Sequence, residues 1–161
     1  MTQKSQQIPT IKVDNHIFVT QIVNALRQEG CKSVTFTIRG YSMRPFLEDC
    51  RDKVELTQPQ EPQVGQVVLA EIAPQTYALH RIVKIEGNTI TMRGDGNQLS
   101  HTETFTADKI IGTAISFIRK GKRVSVESKK WKFYSQLWER LKPMRRILLG
   151  IHRRIIKFIN I

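Results

Sequence analysis

The sequence predicts a mostly β domain, a folded or partly closed sheet, flanked by an amphipathic helix and a basic helical tail. Three observations carry that reading. Short β-patterned runs recur with Gly-, Pro- and Asn-marked turns between them through the middle of the chain. Helical periodicity is confined to the two ends. Charge is partitioned: residues 1–118 hold 12 Lys+Arg and 12 Asp+Glu, whereas residues 119–161 hold 14 Lys+Arg against Glu127 and Glu139 alone, so the last segment carries the whole net charge of +12. With 161 residues, 40% apolar and 25% charged, the chain is long enough for one real core and too apolar to be disordered.

Taken in order, residues 1–12 read as a polar arm. Ile17, Val19, Ile22, Val23 and Leu26 recur at helical spacing over residues 14–29, with Asp14 placed as an N-cap and Gly30 as the stop. Residues 33–39 alternate as a strand and run into Gly40-Tyr41-Ser42, with Pro45 expected in the first turn of a short helix. A charged turn (49–53) leads to a strand from Lys53, and Pro59, Pro62 and Gly65 mark a loop. Residues 66–72, 76–86 and 88–93 read as strands, the last two joined at Gly87-Asn88; 94–103 is a polar loop, and 108–119 with 122–127 form a closing hairpin about Lys120-Gly121. The expected organisation is therefore 1–30 arm and helix, 31–127 β domain, 128–161 helical tail.

Residues 1–16 hold two lysines, Lys4 and Lys12, and no apolar stretch of the secretory kind, and the longest apolar run of the tail, 147–151, is five residues, far short of the ~18 that a membrane span needs. Two cysteines, Cys31 and Cys50, lack CxxC spacing and clustered histidines; they read as reduced thiols, and neither a metal site nor a cofactor is called for.

Ser42 stands out because a serine after a strand end and a glycine presents its hydroxyl among backbone N–H groups, the setting of a nucleophile with its oxyanion hole. The plainer reading is a turn. A serine needs a base, and His80 is placed for it: strand alternation sets it on the face of Ala78 and Ile82, opposite Arg81. Asp95, between Gly94 and Gly96, is the expected acid that orients His80, although Gly-Asp-Gly-Asn is also an ordinary turn.

Three segments together resemble the type I signal peptidases and the related SOS-repressor self-cleaving peptidases. Gly40-Tyr41-Ser42-Met43-Arg44-Pro45 resembles the nucleophile box, Leu79-His80-Arg81-Ile82 the base box in its histidine form (the endoplasmic-reticulum and spore-former subtype), and Met92-Arg93-Gly94-Asp95-Gly96-Asn97 the later Gly-Asp box; Ile110-Ile111-Gly112 resembles the segment that closes the fold. The match spans about residues 33–118. The resemblance implies that family's β-sheet fold and a serine endopeptidase acting on a leader or signal-like peptide, with Ser42 as nucleophile, His80 as general base, Asp95 as orienting acid, and Gly40, Tyr41 and Met43 in the oxyanion and substrate groove. This chain departs from the pattern in four places. It has no N-terminal transmembrane helix, and it carries Gly40 where many signal peptidases have an assisting hydroxyl. Ser100, His101 and Glu103 follow the Gly-Asp box in place of a second aspartate, which leaves Glu103 as a weak candidate for that acid. No repressor-type DNA-binding domain precedes the body. The competing function is a non-catalytic peptide-binding module on the same fold.

The tail puts Trp131, Tyr134, Leu137, Trp138 and Leu141 on one helical face, continued past Pro143 by Met144, Leu148, Ile151, Ile155 and Phe158, with Arg145, Arg146, Arg153, Arg154 and Lys157 between them. The expected partner is an anionic membrane surface, met by Trp131, Trp138, Arg145, Arg146, Arg153 and Arg154 on the inner, cytoplasmic face. Packing on the body or on a second copy is the bland alternative. Nucleic acid is disfavoured, since phosphate tracking needs no apolar stripe.

Overall fold

A computed structural model describes residues 15–159; the arm at 1–12 and the Asp14 cap lie outside them. The chain is mainly β, as expected, with an open antiparallel sheet of eight strands and three α-helices. The strands are β1 (Val34–Thr37), β2 (Lys53–Thr57), β3 (Val67–Ala73), β4 (Thr76–Glu86), β5 (Thr89–Arg93), β6 (Glu103–Thr106), β7 (Ile110–Arg119) and β8 (Lys122–Ser125). Their order is β1-β2-β7-β3-β4-β5-β6. β7 is the hub: it pairs with β2 along one edge, while its other edge pairs first with β3 and then, from Ser116 onward, with β8. The polar loop expected over 94–103 ends earlier than its composition suggests. Glu103–Thr106 is a strand because Phe105 is buried across from Ile90.

Alternation along β3 and β4 divides the apolar side chains between two faces. Val67 and Leu69 enter the larger cluster with Ile22 and Leu26 of α1 (Asn15–Arg27), Val54, Leu56 and Phe117, while Val68 and Ala70 enter a smaller one with Ile82, Ile90, Met92 and Phe105. Val54, Leu56 and Phe117 are wholly buried, each contributing roughly 1.5–3 kcal/mol by burial. β4 follows the same rule. Leu79 packs with the larger cluster and Ala78 with the smaller, so Arg81 and His80 leave the strand on opposite faces.

The tail is not an appendage. Ser128 caps α2 (Lys129–Arg140) by accepting the Trp131 N–H. Trp131 and Trp138, two turns apart, drive one helical face into the core. Trp131 stacks on Phe117 with ring centroids 4.4 Å apart and meets Phe46 at 5.3 Å. Pro143 sits in a 3-10 turn, after which α3 (Arg145–Ile159) begins. Trp131, Trp138 and Arg145 were expected at a membrane surface, and this is corrected: they are 5%, 7% and 3% exposed. The two rings fill the space beneath Phe46, and Arg145 reaches the Asp95 carbonyl. Arg146, Arg153 and Arg154 are exposed.

Candidate active site

Ser42 lies in a loop that leaves β1 and returns to β2. Its base is closed by Ile38 N–H donating to the Asp52 carbonyl and Cys50 N–H to the Ile38 carbonyl, both at 2.9 Å. Asp52, fully buried, accepts from the Glu48 N–H, the Lys120 N–H and the Arg51 guanidinium. Burial alone would raise its pKa, but these donors outweigh it and hold the carboxyl below the ordinary range. Met43, Phe46 and Leu47 anchor the loop by burial in the larger cluster. Residues 42–46 form turns rather than the short helix expected at Pro45, with the Arg44–Pro45 bond cis.

The loop is pinned from the other side by the Gly-Asp-Gly segment that follows β5. Gly96 N–H donates to the Ser42 carbonyl at 2.6 Å. A Cβ at Gly94 would stand 2.5 Å from that same carbonyl oxygen, and one at Gly96 would stand 2.8 Å from the Tyr41 carbonyl and 3.1 Å from that of Arg44. Both positions require glycine because another backbone occupies the space. Arg93, the residue before Gly94, pairs with Arg81 of β4. Ser42 is therefore held against the β5 end, one step from the strand position of His80.

His80 is buried, 6% exposed, and its Nδ1 is hydrogen-bonded to Glu103 Oε2 at 3.0 Å. Its Nε2 has no hydrogen-bond partner among the described residues and is not among the sealed polar atoms. The expectation that Asp95 orients His80 is corrected. The Asp95 carboxylate is engaged by Arg81, with Oδ1 accepting from Nε at 2.9 Å and Oδ2 from Nη2 at 2.7 Å. Because Arg81 and His80 point to opposite faces, a carboxylate that grips Arg81 in two places is turned away from the imidazole. The acid on His80 is Glu103, which sequence reasoning held only as a weak candidate; its place on β6, two strands from β4 across β5, is what brings it there.

Asp95 instead centres a buried ionic cluster. Its carbonyl accepts from Trp138 Nε1 at 2.9 Å and from Arg145 Nη2 at 3.1 Å. Burial disfavours the Arg81 charge, but the Asp95 carboxylate outweighs this and raises the guanidinium pKa above its ordinary value. For Arg145, burial and the nearby Arg93 cation pull the pKa down. Arg93 donates to Glu139 at 3.1 Å. Trp138 and Arg145 were assigned to a surface from sequence; the signal for their true role is that an indole N–H and a guanidinium are donors that a buried backbone carbonyl can use.

Ser42 is half-buried and opens onto a cavity of about 290 Å³ lined by Tyr41, Ser42, Arg44, Gly96, Asn97, Leu149 and Arg153. No hydrogen bond joins Ser42 Oγ to His80 or Asp95 among the described residues. Of the expected groove residues, Tyr41 is exposed at the cavity with the Arg44 guanidinium 4.1 Å from its ring centroid. Met43 is 2% exposed and belongs to the core, a correction that follows from its apolar side chain being turned inward. The Gly40 N–H is spent on Asp49 Oδ1 at 2.8 Å, so it is not a donor to an oxyanion. The N–H groups of Ser42 and Met43 donate to nothing among the described residues. Both cysteines are free, and no cluster of three metal-ligating side chains occurs among the described residues.

No family model matches this chain, and no curated protein matches it either.

Proposed function

We propose that the chain is a serine endopeptidase of the signal-peptidase and SOS-repressor type, acting on a leader or signal-like peptide with Ser42 as nucleophile, His80 as base and Glu103 as orienting acid. The observation that supports this reading is the Glu103–His80 hydrogen bond on Nδ1, which leaves Nε2 without a partner among the described residues, while the turn after β5 holds the Ser42 loop. A carboxylate on Nδ1 fixes the tautomer whose Nε2 accepts a proton. As Ser42 Oγ attacks the scissile carbonyl carbon, Nε2 takes the hydroxyl proton. The oxyanion is received by the Ser42 and Met43 N–H groups, and the proton passes to the leaving amine as the carbon–nitrogen bond breaks. Water then repeats the sequence on the acyl-enzyme. His80 does not line the Ser42 cavity, so the reaction requires peptide binding to bring Oγ and Nε2 to hydrogen-bond distance. By resemblance, small side chains precede the scissile bond.

The test is covalent labelling of the purified protein with a fluorophosphonate, in solution and with lipid vesicles. The expected result is labelling that Ser42→Ala abolishes and His80→Ala slows by about a hundredfold or more. Absence of any Ser42-dependent labelling or peptide cleavage would leave the peptide-binding module as the better reading, one that the unbonded Ser42 hydroxyl also fits.

A further inference from the structure

Helix α3 presents three faces, because side chains advance about 100° per residue. Arg145, Leu149 and the half-buried His152 and Ile156 face the body. Roughly opposite runs a stripe of Ile147, Ile151, Ile155 and Phe158, which are 63%, 49%, 51% and 80% exposed, and Met144 leads into it at 48%. Beside the stripe lie Arg146, Arg154 and Lys157, all exposed and none in an ion pair among the described residues. The buried face already consumes the apolar residues that packing requires. The second stripe is therefore surplus to the fold, and one large enough to mark a docking surface.

We infer that this outer face of α3 is a docking surface for an anionic lipid bilayer, lying flat in the headgroup region with Ile147, Ile151, Ile155 and Phe158 inserted and Arg146, Arg154 and Lys157 on lipid phosphates. Charge complementarity selects the occupant. Self-association would bring together two chains of net +12 through their most cationic segments. A nucleic acid would satisfy the cations and leave the apolar stripe in water. A bilayer with anionic headgroups satisfies both stripes at once, and no helix among the described residues is long and apolar enough to cross it. Leu149 and Arg153, from the body-facing half of the helix, line the cavity at Ser42. Docking therefore sets that cavity next to the bilayer, with α3 between them.

The inference does not depend on Ser42 chemistry and is tested without it. The full chain is floated with vesicles of phosphatidylcholine alone or mixed with phosphatidylglycerol. Two variants are compared with wild type: Ile147→Ser/Ile151→Ser/Phe158→Ser, and Arg146→Gln/Arg154→Gln/Lys157→Gln. None of these residues lines the cavity, and thermal unfolding of each variant is to match wild type. Expected is binding to the mixed vesicles that falls at least tenfold in either variant, that is weakened by salt, and that is weak on phosphatidylcholine. Equal flotation of the apolar variant, binding to nucleic acid but not vesicles, or concentration-dependent dimerisation that the apolar variant abolishes would each overturn it.

Discussion

Glu103 Oε2 stands 3.0 Å from His80 Nδ1, while both oxygens of Asp95 are held by Arg81 at 2.9 and 2.7 Å. The two acids serve different partners, and each has a separate task. Glu103 fixes an imidazole with one nitrogen unbonded; Asp95 neutralises a buried guanidinium and offers its carbonyl to the tail.

Glu103→Gln separates those tasks. The amide can turn its NH2 toward Nδ1 and favour the wrong tautomer, and it no longer stabilises the imidazolium. Fluorophosphonate labelling of Ser42 is expected to slow by about a hundred- to ten-thousand-fold, with thermal stability almost unchanged. Unaltered labelling across the pH range would remove Glu103 from the site.

Asp95→Asn should act in the opposite way. It leaves Arg81, 2% exposed, with a neutral partner and Arg145 with less compensating charge. Removing one member of a buried ion pair costs about 3–5 kcal/mol. Urea unfolding is the measurement, and a loss below about 1 kcal/mol would show the cluster to be dispensable, since that is the range of an exposed pair.

The contrast shows what the sequence could express. Alternation in Tyr77-Ala78-Leu79-His80-Arg81 placed His80 and Arg81 on opposite faces, as found, because strand period is a local property. Which acid reaches His80 is set by the order of β4, β5 and β6, and β6 gives little strand signal of its own, with Phe105 its one apolar residue between threonines. The tail misled for a related reason. Its apolar residues do form helical stripes, but periodicity cannot say whether a stripe meets lipid or protein. Trp131 and Trp138 went to protein because Phe46 and Phe117 leave aromatic-sized space against them. Ile151 and Phe158 did not.

Gly96→Ala probes the support of the nucleophile loop. The added methyl would press on the carbonyls of Tyr41, Arg44 and Ser42, all backbone atoms, at 2.8, 3.1 and 3.2 Å. The loop must shift by several tenths of an ångström, which displaces Ser42 while leaving both hydrophobic clusters intact. Labelling should fall by about a hundredfold, the scale of a small misplacement of reacting groups, and stability by about 1–3 kcal/mol, that of overpacking. Full labelling in a folded Gly96→Ala protein would show that the glycine does not position Ser42.

Acid should loosen the molecule in two stages. Burial pushes the His152 pKa below its ordinary 6.5, so the folded state prefers the neutral ring. The unfolded chain then binds the extra proton more readily, and stability present above about pH 6.5 declines as the pH falls through that region. Asp52 and Glu139 form the second stage. Burial raises both, but Arg51 and two backbone N–H groups for Asp52, and Lys142 with Arg93 for Glu139, leave each below its ordinary value of 3.8 or 4.5. Their stabilising effect is complete above those values and is lost as the pH falls beneath them. The urea midpoint should therefore begin to fall as the pH drops through about 6.5 and fall further below about 4.5. His152→Gln should remove the first step and leave the second. A midpoint that stays level from pH 7 to 3 would mean that these groups are no better paired in the folded chain than in the unfolded one.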